Sequence, residues 1–289
     1  MIFYLVTAEH KYTIRTYLDT WGKALADRIR VMTYQELPHL QRLPLGTYIF
    51  SDLERLSPPE RELGSQVWAQ LSRVRASLRL LNHPRQRLPR YELLRQLYET
   101  GRNRYWVGLA TESERPPRFP VFVRDRSQHT GALSDLLPGQ KELDQALVRL
   151  LVWGYPLQNL LIVEFCDCGD ANGVFRKYSA FMVGGCIVPR HLIFSRHWML
   201  KKPDLLDEDK LREEREYLDE NPHREWLREV FALARVEYGR IDYGLWQGRP
   251  QVWEINTNPM VMLLPQEYHP SHLDAQELFA SRIQSAFEA

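Results

Sequence analysis

Residues 239–259 read GRIDYGLWQGRPQVWEINTNP, two segments of alternating apolar and polar residues on either side of Gln247-Gly248-Arg249. Alternation with a period of two around a glycine-containing turn predicts a β-hairpin. With the turn centred on Gly248, Asp242 lies opposite Glu254 and Arg240 lies opposite Asn256, all on one face. The other face is predicted to belong to the core, and it carries Ile241, Tyr243, Leu245, Trp253 and Ile255.

Two facing carboxylates on neighbouring strands call for a positive charge between them, because like charges directly opposite destabilise a strand pair. Mg²⁺ prefers oxygen ligands, and substrate phosphates usually complete its coordination. The hairpin therefore predicts a metal site formed by Asp242, Glu254 and the carbonyl of Asn256. Arg240, beside it, suits a phosphate or a developing oxyanion. The alternative is a surface hairpin in which Arg240 only neutralises the acids.

Length and composition indicate a globular protein without a global charge bias. The chain has 289 residues, 44% of them hydrophobic, with 38 Lys and Arg against 37 Asp and Glu. A chain of this length is expected to form about two domains. The charge balance argues against nucleic acid or a membrane surface as a partner. The amino terminus lacks a basic leader and no segment approaches a membrane span, so a cytoplasmic location is expected.

The first third of the chain predicts a parallel α/β layer. Apolar segments at 2–7, 28–33 and 46–51 are predicted strands, and 13–26 is a predicted amphipathic helix. A long helix is predicted over 58–81, ending at Asn82-His83-Pro84, which closes the first domain near residue 85. Ser51 ends the third strand and is a candidate substrate contact, because open parallel sheets bind ligands at the carboxyl ends of their strands. The alternative is a cap on the following turn.

The remaining segments predict two mixed α and β regions. Helices are predicted at 90–100, 139–153, 204–220, 225–238 and 273–287, and strands at 119–124, 159–167, 173–185 and 186–195. The polar loop 125–131 follows a strand, where a phosphate cover or a substrate lid would lie. Arg126, Ser127 and His129 are its candidate contacts, the alternative being a solvated loop. His129 is a weak candidate for a general base, since the sequence offers it no orienting partner.

Arg240-Ile-Asp followed by Glu254-Ile-Asn-Thr-Asn-Pro resembles the metal-binding end of the ATP-grasp superfamily, which includes D-alanine–D-alanine ligase and other carboxylate–amine ligases. The resemblance covers 82–260 strongly and the amino-terminal part weakly. It implies an α/β and α+β chain with the ATP-grasp fold. Its domains are a Rossmann-like α/β pre-ATP-grasp domain at 1–85, a small lobe at 86–163, and a carboxyl-terminal lobe at 164–289 that carries the metal site.

The resemblance also implies two phosphate-binding positions, which depart from the family pattern. The family has one lysine at a helix start after an Asn-Pro break and another at the end of a Phe-Pro-Val strand. This chain has Arg90 and Arg124 at the matching places. A guanidinium also binds phosphate, but it does so with a planar fork, so the phosphate geometry is expected to differ.

A hinge segment for the nucleotide base is implied at the end of the strand over 159–167. The matching residues are Glu164, Phe165 and Cys166 for the adenine edge, with Asp167 or Asp170 for the ribose hydroxyls. Pattern alone favours a sheet-edge strand with solvated acids.

Three further basic positions follow from the resemblance. Arg176 is the choice for a contact with the triphosphate, while Lys177 takes the other face of the strand and is interpreted as solvated. Lys201 is expected near the transferred phosphoryl group, with its neighbour Lys202 as a replacement.

The implied activity is that of an ATP-dependent carboxylate–amine ligase using ATP and Mg²⁺, with Mn²⁺ as a substitute. The γ-phosphoryl group moves to a carboxylate, and an amine then attacks the acyl phosphate. Arg240, Lys201 and Arg124 would stabilise the transferring group. Asn258 is a further candidate substrate contact. The expected partners are small-molecule or peptide carboxylates and amines, with a homodimer as assembly. The alternatives are a kinase on the same scaffold and a non-catalytic nucleotide-binding module, which the two arginines motivate.

Overall fold

A computed structural model describes residues 1–74, 78–129, 131–201 and 203–289. These ranges form three β-sheets, two of four strands and one of three, with helices packed against them. In the described ranges, no helix combines the length and the apolar character that crossing a membrane requires.

The first sheet is parallel, as its alternating pattern predicts. It has the order β2-β1-β3-β4, formed by β1 (Ile2–Val6), β2 (Ile29–Thr33), β3 (Thr47–Phe50) and β4 (Arg79–Leu81). Two helices accompany it, α1 (Tyr12–Asp19) and α2 (Pro58–Ser72). A capping box starts α2, in which Ser57 and Glu60 bind each other's backbone N–H groups.

Both predicted helices in this part are too long. The α1 helix ends at Asp19 because the chain turns back at Gly22, whose N–H donates to the carbonyl of Tyr17 at 2.8 Å. The predicted helix over 58–81 ends at Ser72, and its last three residues form β4 beside β3. A three-residue strand carries no periodicity of its own, and only pairing with a neighbouring strand identifies it.

The second sheet is antiparallel with the order β5-β7-β6. It contains β5 (Val107–Leu109), β6 (Val121–Asp125) and β7 (Leu160–Glu164), and it is accompanied by α3 (Arg90–Glu99) and α4 (Gln140–Val152). Pro89 caps α3, so Arg90 stands at the first turn of this helix.

The third sheet is antiparallel with the order β11-β10-β8-β9. Its strands are β8 (Phe175–Val183), β9 (Cys186–Ser195), β10 (Tyr238–Trp246) and β11 (Arg249–Asn256). The helices α5 (Glu208–Glu220), α6 (Arg224–Ala234) and α7 (Leu273–Glu288) complete this part.

The predicted hairpin is formed by β10 and β11, and its register is confirmed where it matters for the site. Asp242 pairs with Glu254, and Arg240 pairs with Asn256. Beyond Asp242 the register shifts, so that Tyr243 pairs with Val252. Trp253 is the extra residue of this bulge, and it lines the cleft beside Glu254 instead of pointing only to the core. Trp253 packs against the core of the third sheet, as predicted, and it also lines the cleft.

The first and third sheets share one hydrophobic core. Residues of α7 such as Phe279 and Ile283 pack in one cluster with Tyr4 of β1 and Phe181 of β8. The α3 helix packs likewise into the core of the third sheet. Each sheet lies within one of the ranges 1–85, 86–163 and 164–289, and the division into three domains stays a proposal.

Asn82 joins the first and third sheets through hydrogen bonds. Its amide nitrogen donates to the carbonyls of Phe50 at 3.2 Å and Tyr238 at 2.7 Å. Its amide oxygen accepts from the N–H groups of Glu237 and Tyr238 at 2.8 and 2.9 Å. The break predicted at Asn82-His83-Pro84 is thus a buried junction between the two sheets.

Candidate nucleotide and metal site

A cleft of about 340 Å³ is lined by residues of the second and third sheets and by the segment 198–201. Apolar side chains form one wall, in which Trp198 packs against Phe122 and Phe165 with ring centroids 4.9 and 5.6 Å apart. Charged side chains form the other, with Asp242 and Glu254 among them. This combination of an apolar wall and a few converging polar groups is typical of small-molecule sites.

Glu254 is the centre of the charged wall. Arg90 and Arg124 each donate a hydrogen bond of 2.7 Å to its Oε2, and His129 Nδ1 lies 3.4 Å from its Oε1. Burial alone would raise the pKa of Glu254, but Arg90, His129 and Arg124 outweigh it and hold the pKa well below its ordinary value. Glu254 is therefore ionised and neutralised by groups from the second sheet and α3.

Asp242 is held by the third sheet itself. Arg240 donates to both of its oxygens, at 2.8 and 3.1 Å, and the Ser179 hydroxyl donates to Oδ1 at 2.7 Å. Lys177 Nζ lies 3.9 Å from Oδ2. The hairpin register and these contacts place Asp242, Glu254 and Asn256 together on the cleft side.

The donor chemistry of these residues fits a hard divalent cation completed by phosphates. Two carboxylates and an amide oxygen are oxygen ligands of the kind that Mg²⁺ accepts. Within the described ranges, no group of three or more His, Cys, Asp and Glu side chains could hold a metal alone. Arg90 and Arg124 each have a buried Nε without a hydrogen-bond partner among the described residues. Because buried donors are nearly always paired, these two atoms point to a missing acceptor such as a phosphate oxygen.

Part of the hinge segment predicted to contact the nucleotide base lies in the cleft. Glu164, Phe165 and Cys166 line it. However, the carboxylate of Glu164 accepts hydrogen bonds from the N–H of Trp106 at 3.0 Å and from Arg118 at 3.1 Å, so it is already engaged. The Sγ atoms of Cys166 and Cys168 lie 4.0 Å apart. A hydrogen bond from Cys168 lowers the pKa of Cys166.

Three of the contacts predicted between Glu164 and Arg176 do not line the cleft. Asp167 is exposed, and its Oδ1 accepts from the N–H of Gly169 at 3.0 Å. Asp170 and Arg176 bind each other at 2.7 Å, and Arg176 also donates to both carboxylate oxygens of Glu213, at 2.6 and 3.1 Å. These pairs hold the guanidinium away from the charged wall. Arg176 as the triphosphate contact is therefore a wrong choice for this arrangement.

At this strand the side chain of Lys177, and not that of Arg176, lies in the cleft. It lines the cleft, and its side chain is 12% exposed. Burial lowers its pKa, partly opposed by Asp242. Its interpretation as a solvated lysine is wrong because β8 pairs with β10. Ser179 stands opposite Asp242, so alternation brings Lys177 to the same face.

The loop after β6 and the segment at Lys201 come together. A Cβ on Gly131 would lie 2.5 Å from Cε of Lys201 and 3.5 Å from Sδ of Met199, so the backbone passes close to both side chains. Lys201 is exposed and lines the cleft. Lys202, named as its replacement, lies outside the described residues.

His129 has the orienting partners that the sequence could not reveal. Its Nε2 lies 3.3 Å from Glu54 and its Nδ1 lies 3.4 Å from Glu254. Burial would lower its pKa, but both carboxylates outweigh burial and raise it. A raised pKa favours the imidazolium, which cannot act as a base. Arg126 and Ser127 line a neighbouring cavity instead of the cleft.

Ser51 and Asn258 are structural, contrary to prediction. Ser51 is fully buried, and its hydroxyl donates to the carbonyl of Leu5 at 2.6 Å. Asn258 Oδ1 accepts hydrogen bonds from the hydroxyls of Tyr4 at 2.8 Å and Thr13 at 2.6 Å. Both side chains are satisfied inside the protein, so neither is available to a substrate.

Glu54 is a site residue that the sequence reasoning missed. It accepts a hydrogen bond of 3.0 Å from the N–H of Thr257 and another from the Thr257 hydroxyl. The signal was its position just after β3, where parallel sheets bind ligands, and the prediction selected Ser51 from the same segment. Glu54 thus joins the first sheet to the segment that follows the β10–β11 hairpin.

The comparisons with known proteins give one consistent picture. No protein-family model and no curated protein matches the chain. Solved structures do match over 99% of its length. D-alanine–D-alanine ligase from Bacillus anthracis, complexed with ATP, is 15% identical with a TM-score of 0.54, over 97% of its own length. The ATP-grasp ligase PsnB, complexed with minimal precursor, is 12% identical with a TM-score of 0.56, over 97% of its length. N5-carboxyaminoimidazole ribonucleotide synthetase from Thermotoga maritima is 14% identical with a TM-score of 0.55, over 75% of its length.

The chain has the ATP-grasp fold, with an α/β layer at its amino terminus, so the predicted fold class is confirmed. Among solved proteins it is similar to D-alanine–D-alanine ligase over nearly the whole length of both chains.

Proposed function

We propose that this chain is an ATP-dependent carboxylate–amine ligase that forms an amide or peptide bond through an acyl phosphate. The observation that carries the proposal is the pair of carboxylates, Asp242 and Glu254, facing each other in a cleft of the ATP-grasp fold. Cationic side chains surround this pair, which is the arrangement that phosphoryl transfer needs, since its catalysis is mostly positioning and electrostatic stabilisation.

In this proposal the nucleotide base packs against Phe165 and Cys166 on the apolar wall. The phosphates contact Arg124 and Lys177, which line the cleft, and Arg90, which reaches Glu254 from the neighbouring cavity, with Lys177 in the role first assigned to Arg176. The guanidinium groups that bind Glu254 without nucleotide have one unpartnered Nε each among the described residues. A phosphate oxygen would satisfy those atoms and share the guanidinium groups with Glu254.

Asp242, Glu254 and Asn256 would hold Mg²⁺, or Mn²⁺ in its place. A divalent cation at this position neutralises phosphate charge and orients the transferring group. Arg240, fixed by its two hydrogen bonds to Asp242, presents its positive charge to the same place. Lys201, which lines the cleft close to Gly131 of the loop after β6, would approach the γ-phosphoryl group.

The reaction balances with two successive displacements. A carboxylate oxygen of the acid substrate attacks the γ-phosphorus, and the bond to ADP breaks. The amine nitrogen then attacks the acyl carbon, phosphate leaves, and the amine proton passes to solvent. His129 lies between Glu54 and Glu254, which raise its pKa and so favour the imidazolium, a form that would attract the carboxylate and would not remove a proton.

The remaining parts of the proposal concern partners and location. The substrates are a small-molecule or peptide carboxylate and an amine, the assembly is a homodimer, and the location is cytoplasmic. Nucleic acid and membranes are not among the proposed partners.

A second candidate is a nucleotide-binding module without catalytic activity. Arg90, Arg124 and His129 all engage Glu254, and a cation would have to compete with these three groups. If these three groups remain bound to Glu254, the nucleotide would bind without metal and no phosphoryl transfer would follow.

The test is isothermal titration calorimetry with a non-hydrolysable ATP analogue, with and without Mg²⁺, on the wild type and on Asp242→Asn. Asp144→Asn, at an exposed acid on α4, is the matched control. Magnesium-dependent binding that Asp242→Asn weakens at least about 10-fold, with the control unchanged, would support the metal site. Absence of binding by the wild type would refute both candidates.

A screen for ADP release then separates the activities. A ligase releases ADP and phosphate only when an acid and an amine are both present, and Asp242→Asn abolishes this release. A kinase yields phosphorylated acceptor without an amine. Metal-independent nucleotide binding without turnover on any pair would favour the non-catalytic module.

A further inference from the structure

A second cavity of about 710 Å³ lies next to the cleft, and His129 lines both. Five arginines line it against a single acid, Glu54. The arginines come from three segments of the chain, and they are Arg61, Arg85, Arg87, Arg90 and Arg126. Leaving His129 out of the sum, the lining side chains carry four net positive charges, five from arginine minus one from Glu54.

Three of these arginines are neutralised by acids outside the cavity lining. Arg85 pairs with Glu62 near the surface. Arg90 pairs with Glu254 at 2.7 Å, and Arg126 pairs with Glu92 at 3.2 Å. Each of these guanidinium groups already has a carboxylate partner, so their charge is largely compensated.

Arg61 and Arg87 are not compensated in this way. Arg61, on the first turns of α2, forms no ion pair with any described residue. Arg87 has one ion-pair partner among the described residues, Glu54, at 4.0 Å. That carboxylate also accepts hydrogen bonds from Thr257 and faces His129, so Arg87 receives only part of its charge.

Arg87 is also largely removed from water, with 11% of its side chain exposed. Burial lowers the pKa of Arg87, Glu54 opposes this effect, and neighbouring Arg61 adds to it. A buried charge without a full partner is unfavourable, and an anion in the cavity would relieve it. Arginine forks suit carboxylate and phosphate groups in particular.

We propose that this cavity binds the acid substrate of the ligase, and that the substrate carries a second anionic group held by Arg61 and Arg87. The substrate class is thus a carboxylic acid with at least one further carboxylate or phosphate. Its reacting carboxylate lies beside His129, where the cavity meets the cleft. This inference rests on the proposed function, and it excludes acids with a single charge, which would leave Arg87 with no carboxylate among the described residues other than the shared Glu54.

The test measures binding of matched probes to the full chain without nucleotide, by isothermal titration calorimetry at constant ionic strength. Glutarate is butyrate with a second carboxylate at the end of the same alkyl segment, and 3-phosphoglycerate carries a carboxylate and a phosphate. Glutarate or 3-phosphoglycerate should bind at least about 10-fold more tightly than butyrate, the effect of one charge-assisted hydrogen bond or more. Of glutarate and 3-phosphoglycerate, the probe that binds more tightly shows whether the second anionic group is a carboxylate or a phosphate.

Variants of the lining arginines locate the binding. Arg87→Gln should weaken the tighter probe at least about 10-fold. Arg61→Gln should do the same, and because Arg61 is exposed on α2 this variant is expected to fold normally. Arg85→Gln is the control, since Arg85 is bound to Glu62 and 57% exposed, and its effect should stay within about threefold.

The outcomes separate this inference from the proposed function. Equal binding of butyrate and the dianions, or dianion binding that neither Arg61→Gln nor Arg87→Gln weakens, overturns the inference. In that case binding of the ATP analogue is unaffected and the proposed function stands. Dianion binding that depends on Arg87 without any nucleotide binding would retain the anion site and refute the ligase.

Discussion

Replacing Glu254 with glutamine should destabilise the protein, because this residue is the common partner of two buried guanidinium groups. Arg90 and Arg124 both donate to its Oε2 at 2.7 Å. The exposed side-chain fractions are 15% for Glu254, 6% for Arg90 and 10% for Arg124. The change leaves both arginines buried with only a neutral acceptor between them.

The magnitude follows from the burial of the three groups. Removing one partner of a buried ion pair costs about 3–5 kcal/mol. Glutamine keeps an oxygen that can accept one hydrogen bond, so the lower end, about 3 kcal/mol, is expected. At about 2 °C per kcal/mol for a large domain, the melting temperature of Glu254→Gln should fall by roughly 6 °C.

The assay is differential scanning calorimetry of both proteins without nucleotide, with Glu62→Gln as the matched control. Glu62 also pairs with an arginine, Arg85, but their side chains are 49% and 57% exposed. Exposed pairs contribute about 0–1 kcal/mol, so the control should melt within about 2 °C of the wild type.

Two results would refute this reasoning. One is a Glu254→Gln protein that melts as the control does, since the buried pairs would then contribute nothing. The other is an equal rise in the melting temperatures of both proteins when pyrophosphate is added. Pyrophosphate supplies acceptors to the guanidinium groups of Arg90 and Arg124, so it should stabilise Glu254→Gln more than the wild type. An equal rise would mean that the anion does not reach these two groups.

Three other changes have expected outcomes. Lys177→Met should weaken binding of an ATP analogue, measured by calorimetry, about 10-fold or more, whereas Arg176→Met should change it less than threefold. Equal effects would contradict the assignment of Lys177 to the cleft face of β8 and of Arg176 to the other face. Asn82→Ala should lower the free energy of unfolding in urea by about 3 kcal/mol or more, because it strands buried backbone groups; a loss below about 1 kcal/mol would be inconsistent with the junction. Burial lowers the pKa of His223, so the folded state binds its proton less readily than the unfolded state. Wild-type stability should therefore fall as pH drops below about 6.5, and His223→Phe should show less of this loss; parallel pH profiles of the two proteins would refute it.

Much of the fold was predictable because its elements carry local signals. The hairpin around Gly248 has strict alternation and a turn residue, and the pairing of Asp242 with Glu254 follows from symmetry about that turn. The parallel pairing of the strands in the first sheet, though not their order, and the start of α3 at Arg90 were also predictable from sequence patterns. In each case the pattern of a short segment is sufficient to predict the element, because residues close in sequence determine that pattern.

The incorrect or incomplete predictions concern features that depend on distant partners. The strand β4 exists because β3 accepts it as a neighbour, and Trp253 reaches the cleft because a bulge interrupts the ladder. Ser51 was assigned to a site by its position in the chain, whereas packing buries its hydroxyl against β1. Sequence alone gives the kind of residue at these positions but not its neighbours.

The sequence by itself determined the β10–β11 hairpin with its facing residues Asp242 and Glu254, because strand alternation and turn chemistry act over a few residues, and the fold class followed from the resemblance of that segment to a known family. Only the tertiary structure decided which charges meet. It brings Arg90, Arg124 and His129 from separate segments onto Glu254, and it gives the cleft to Lys177. Electrostatic pairing depends on distance in space, and these three partners of Glu254, 125 to 164 positions away from it in the chain, become its neighbours only when the sheets pack together.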